Sequence, residues 1–294
     1  MTPRPSSRPL RLGPRSSAAV ALVSALGLMA FGWPLLADAG SAVTDHAADA
    51  PWLFAALLPL LVAVVVATVS ESGMDAKAVA MLGVLAAVGA ALRPLGAGTA
   101  GLEPMFFLMV LSGRVLGPGF GFVLGAVTMF ASALLTGGVG PWMPFQMLSM
   151  AWFAMGAGLL PATPHRSGAR GRAELLLLAG YGFLASFAYG AIMNLQGWPI
   201  VTGLGAGVSF EPGAPVHENL LRFSLYYVTT SLGWDLGRAA LTVVLTLTVG
   251  GPLLKALRRA TRRANFEAQV TFEAPEKAPP GEAPHRTHVT FDPE

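Results

Sequence analysis

The sequence contains no cysteine. Disulfides, thiolate metal sites and cysteine nucleophiles are therefore excluded. Charge is scarce too: 12% of the residues are Asp, Glu, Lys or Arg, about half of what a soluble domain carries. The five histidines are scattered without metal-ligand spacing, so no metal or cofactor site is expected. There is no HExxH, no pair of carboxylates on one helix, and no serine with a histidine partner in an apolar segment; His165, His285 and His288 fall in polar stretches. No glycine-rich loop ends in the lysine that would cradle nucleotide phosphates, so ATP hydrolysis by this chain is not expected. The formal net charge of +3 is no nucleic-acid signal, because Lys and Arg gather at the ends of apolar runs, where membrane topology puts them.

What is abundant is apolar surface. Hydrophobic residues make up 53% of the chain and the mean hydropathy is +0.59. The 35 glycines and 23 prolines suit helices that pack closely or break. The fold class this predicts is an all-α polytopic membrane protein. Apolar runs cover residues 17–36, 52–69, 76–92, 103–116, 120–135, 144–160, 174–194 and 222–254. The tails, 1–15 and 264–294, are polar and Pro-rich and read as disordered. The first run could be a signal peptide, with ADA at 37–39 as a cleavage site, but its length favours a retained helix.

The run at 103–116 is anomalous. Its apolar core of ten residues (PMFFLMVLSG) lies between Glu103 and Arg114, and at 1.5 Å per residue covers roughly half of a hydrocarbon core about 30 Å thick. Charge placement decides whether it crosses. The segment 38–49 has three acids and no Lys or Arg, whereas 165–172 holds Arg166, Arg170 and Arg172, and the C-terminal stretch holds Lys255, Arg258, Arg259, Arg262 and Arg263. Both basic segments fall inside only if the short run is a crossing. About eight crossings with both termini cytoplasmic result. Short or broken helices are tolerated at membrane depth where protein covers their backbone, and they point to transport sites.

On this topology the polar groups of several loops converge on the outer face: Arg93, Glu103, Trp142, Gln146, Asn194, Gln196, Trp198, Asp235 and Arg238. Asp235 and Arg238 are spaced i, i+3 and can pair. Charges at such depth are costly and are paired or functional. An outward concave site with aromatic walls and a few polar groups suits a small organic ligand. The bland readings stand beside this: Trp142 and Trp198 as interface anchors, Gln146 and Asn194 as interhelix hydrogen-bonders, and Asp235–Arg238 as a structural pair. The loop LRPLGAGTAGLEP, 92–104, is expected to be a binding loop or lid. The helix at 76–92 carries small residues at Gly83, Ala87 and Ala91, and at Ala86 and Ala90, a surface that lets helices approach closely, within this chain or between chains.

These stretches resemble the substrate-binding S components of energy-coupling factor (ECF) vitamin transporters. The likeness runs from the Ala-rich helix at 76–92 through LRPLGAG…EPMFFLMVLSGRVLGPGFGFVLGA, GPWMPFQML and the final WDLGRAALTVVLTLTVGGPLLKALRR. It implies a six-helix core over 73–263, with 16–72 a two-helix N-terminal extension that departs from the pattern. It also implies a bacterial plasma-membrane subunit that captures a vitamin-like ligand outside and docks on a transmembrane T component carrying two ATPase subunits. The small-residue patch Gly83, Ala86, Ala87, Ala90 and Ala91 matches the family's docking surface. Cobalamin or a precursor is favoured from GPWMPFQML. Alternatives are a solitary secondary transporter of a small organic solute, a membrane-embedded enzyme, or an assembly factor.

Overall fold

Backbone polar groups cannot be left unpaired in hydrocarbon, so a chain this apolar must close its hydrogen bonds within helices or within a sealed barrel. The computed structural model takes the helical solution. It describes residues 12–36, 57–71, 74, 76–96, 100–162, 170–201, 203–205 and 207–264, and every regular element among them is helical. The C-terminal tail from residue 265, residues 1–11 of the N-terminal tail, the 37–39 motif, the acidic segment 38–49, Arg166 and residues 97–99 of the expected lid lie outside the described residues.

The helices are α1 Pro14–Leu36, α2 Leu57–Glu71, α3 Ala76–Leu92, α4 Met105–Leu116, α5 Pro118–Thr136, α6 Met143–Leu159, α7 Arg170–Gly197, α8 Val216–Thr230, α9 Leu232–Thr248 and α10 Gly250–Ala264. Short 3-10 turns follow α3 at Pro94–Gly96 and α7 at Trp198–Ile200. Among the described residues, four helical stretches are long and apolar enough to cross a membrane: Pro14–Leu35, Ala76–Gly96, Pro118–Thr136 and Gly171–Ile200. A fifth arises if α9 and α10 form one bent span. The expected eight crossings would add α2, α4 and α6, whose lengths of 15, 12 and 17 residues fall short of the about 20 that an upright helix needs.

The short run is the centre of the bundle. In α4 every residue from Met105 to Gly113 is buried, and α3, α5, α6, α7, α9 and α10 all pack on it. Its backbone is thus covered by protein, the condition under which a helix of about 18 Å can persist at membrane depth. Gly117, at φ 93, turns the chain: its N–H caps α4 on Gly113 O, and Pro118 then opens α5, where the missing proline N–H costs nothing. α5 and α6 form the most extensive helix pair. Gly113 of α4 and Gly125 of α5 lie directly against the α6 backbone, where a Cβ would run into the carbonyl oxygens of Ala154 and Met150. Such close approach is how helices associate where no hydrophobic effect drives them together.

The final run departs from expectation. Residues 222–254 are not one helix. α8 starts at Val216, ahead of the apolar run, and ends at Thr230; the Ser231 hydroxyl that follows bonds Asn194 Oδ1 at 2.7 Å. α9 then gives way to α10 with a 70° bend. Pro252 supplies a reason: it has no N–H for the carbonyl four residues back and its ring crowds it, and that carbonyl belongs to Thr248, the last residue of α9.

Candidate functional site

Glu103, at the mouth of α4, is brought to α9 rather than to Arg93. Its Oε2 accepts from Arg238 Nε at 2.6 Å. Arg238 Nη1 also donates to Asp235 Oδ1 at 2.5 Å, and the other Asp235 oxygen accepts from Tyr227 OH of α8 at 2.6 Å. The guanidinium lies over the rings of Phe106 and Tyr189, 4.8 and 5.1 Å from their centroids, a favourable placement for a cation. Asp235 is 2% exposed and Arg238 9%. Gly190 of α7 makes room for the carboxylate, since a side chain there would overlap Asp235. This cluster is closed on itself. Each charge has its opposite within hydrogen-bond distance, as burial demands.

Arg93 stands apart. It follows α3 directly and donates through Nη1 to Ser132 Oγ of α5 at 3.3 Å and through Nη2 to Gln146 Oε1 of α6 at 3.2 Å. Both acceptors are neutral, and no carboxylate among the described residues pairs with it. Arg114, Arg222, Arg238 and Arg258 each reach an acid. Arg93 and Gln146 are both half-buried. Half-buried Tyr189, whose ring lies under the Arg238 guanidinium, is also close enough to Arg93 to feel its charge.

Tyr189 also lines an apolar cleft of about 350 Å³ between α6 and α7, together with Ser149, Trp152, Phe153, Tyr181, Leu184, Ala185, Ala188 and Ile192. That volume lies at the lower end of small-molecule sites. Three polar tips around it are committed: Trp152 Nε1 to Ser24 of α1 at 2.9 Å, Tyr181 OH to Phe153 O, and Ser149 Oγ to Met193 Sδ. The cleft therefore offers hydrocarbon and ring faces, with the Tyr189 hydroxyl as its polar group. Ser149 is three residues from Gln146, so the cleft and the Arg93 contact lie about one turn apart along α6.

The other expected site residues divide. Trp142 is exposed at the start of α6, with Nε1 on Gly138 O at 3.2 Å. Asn194 donates to Gly190 O and receives Ser231, tying α7 to the α8–α9 break. Gln196 is buried. Trp198 is fully buried and is no wall of an open site. It is packed by Phe210, Phe223 and Tyr226, and its Nε1 anchors the following loop through Val208 O at 2.7 Å. On α3 the small residues face two ways. Ala86 and Ala90 are buried within the chain, with neighbouring Gly89 against Thr128 of α5, whereas Gly83, Ala87 and Ala91 form an open line. Of the expected lid, the stretch Ala100–Glu103 is held against α9, with Gly101 against the Trp234 backbone and Gly237 against Ala100 O.

Tyr227, Tyr189, Phe106 and Ser132 join this region without having been expected from the sequence. So does a second charged group at the other end of α4. There Glu174 of α7, 4% exposed, accepts from Arg114 Nε at 2.9 Å and Arg258 Nη2 at 2.6 Å. Arg114 also caps α6 through Leu160 O. The short helix is thus held at both ends by ionic clasps. Among the described residues no three His, Cys, Asp or Glu side chains gather to hold a metal ion.

Compared with protein-family models, curated proteins and solved structures, the chain matches none. The likeness to S components therefore rests on the sequence pattern.

Proposed function

We propose that this chain is the substrate-capture subunit of an ECF-type importer, taking a vitamin or related micronutrient, with cobalamin or a precursor preferred. The observation that carries the reading is Arg93. A cation at membrane depth with no carboxylate partner among the described residues, held by the neutral groups of Ser132 and Gln146, is costly, and such charges are paired or functional. Gln146 brings a second polar group, the adjoining cleft supplies apolar and aromatic wall, and the Glu103–Asp235–Arg238 cluster braces the helices beneath. Together these make the kind of site that holds a small organic molecule by one anionic or strongly accepting group.

In this reading about eight crossings place both termini in the cytoplasm of a bacterium, α4 is a protein-covered crossing, and the site opens outward. The open line Gly83, Ala87 and Ala91 docks on the T component, which couples the chain to two ATPases. The test is mass spectrometry of small molecules released from the purified protein. A stoichiometric, nonlipid organic compound supports capture, and R93A should lose it. An empty protein that transports a solute down an ion gradient in sealed vesicles would favour a solitary transporter instead.

A further inference from the structure

The α10 helix is a charged surface whose use the capture site does not explain. Its inner face is settled: Leu254, Leu257 and Thr261 are buried, and Arg258 clasps Glu174. Its outer face carries Lys255, Arg259, Arg262 and Arg263, all exposed, at positions i, i+4, i+7 and i+8 of one stripe. None of the four meets a carboxylate among the described residues.

The location identifies what lies against this stripe. At the bend, α9 exposes Val244 and Leu247 and is followed by exposed Val249, and the neighbouring α6 and α7 expose Leu159 and Leu176. An apolar belt this dense marks the acyl layer. The chain then turns by 70°, and its exposed side chains change from aliphatic to cationic with no large apolar residue among them. A helix that leaves the acyl layer at such an angle runs along the boundary, at the depth of the phosphates. We propose that the Lys255–Arg259–Arg262–Arg263 face of α10 binds the phosphate headgroups of anionic phospholipid, fixing the inner end of the bundle at the membrane surface. Each cation near an anionic surface multiplies binding by about fivefold, so four make a strong preference.

The experiment is native mass spectrometry of the full-length protein in detergent with added phosphatidylglycerol or phosphatidylcholine. The unaltered protein is expected to retain phosphatidylglycerol at least tenfold better, and the quadruple variant K255Q/R259Q/R262Q/R263Q to lose that preference. Arg258→Gln, which loosens the contact with Glu174 and leaves the four exposed cations, should keep it. Millimolar glycerol 1-phosphate should not displace the lipid. Equal retention of both lipids by the unaltered protein overturns the proposal, as would displacement by the soluble phosphate or a quadruple variant that still prefers the anionic lipid. Equal retention would leave the stripe for an acidic protein surface. The capture site is read separately, by the small molecule released.

Discussion

Arg93 and Asp235 looked equivalent along the sequence, two charges near the same face, but their surroundings give them different work. Arg93 keeps unused donors and neutral neighbours. Asp235 is enclosed by Arg238 and Tyr227. Replacing Arg93 with Ala removes no partner from a buried charge, so the melting temperature in detergent should stay close to that of the unaltered protein while ligand retention falls by at least about tenfold, the value of one charge-assisted hydrogen bond. Replacing Asp235 with Asn strips a buried guanidinium of one of its two carboxylates. With Glu103 still on Arg238, a loss of about 2 kcal/mol is expected, the value of a hydrogen bond between charged groups, read as a lower midpoint in thermal or denaturant unfolding. A D235N protein as stable as the original would mean that Glu103 alone satisfies Arg238. The i, i+3 spacing made the Asp235–Arg238 pair legible in sequence. The third member was not: Glu103 lies 135 residues from Arg238, and only the packing of α4 on α9 and α7 brings it there. Trp198 shows the opposite limit. A tryptophan beside a membrane boundary reads equally as anchor, wall or core, and burial among Phe210, Phe223 and Tyr226 decides for core.

At the scale of elements, helix existence was legible because apolar runs of nearly 20 residues permit little else. The end of the chain was not. Residues 222–254 are apolar enough to pass as one span, and the break at Ser231 depends on Asn194, a partner 37 residues away. Pro252 was the local sign of the second bend. The clasp on Glu174 at the other end of α4 had no sequence signal beyond a lone acid at a helix start. The glycine contacts of α4 and α5 with α6 predict that Gly113→Leu or Gly125→Val forces the helices apart. Either variant should fail to yield a monodisperse peak in detergent, whereas Gly83→Leu, at a position with open space around it, should purify normally. The same contrast separates the two sides of α3. Ala90→Leu should destabilise the chain, because Ala90 is buried. Ala87→Leu should leave folding and ligand retention intact and weaken copurification with a transmembrane partner. If A87L reduces ligand retention instead, the open line of α3 belongs to the capture site.

For the whole molecule, the absence of cysteine makes topology directly measurable. Single cysteines placed at Gly138, Ala214 or Ala162 can be labelled in intact cells with a maleimide that does not cross the membrane. The eight-crossing arrangement expects positions 138 and 214 to react and position 162 to react only after lysis. The molecule can then be viewed as a short, largely enclosed helix clasped by ions at each end, with other helices around it, an apolar cleft on one side and, after α3, an arginine with no carboxylate partner among the described residues. The central claim is that this arginine and Gln146 hold a small ligand. The most direct measurement is quantitative mass spectrometry of the nonlipid organic molecules released on denaturing equal amounts of the purified protein and its R93A and Q146A variants. The account predicts one compound near one-to-one with the unaltered protein, bearing a carboxylate, phosphate or comparable acceptor, and strongly reduced in both variants at unchanged melting temperature. The same compound retained equally by all three proteins would contradict it.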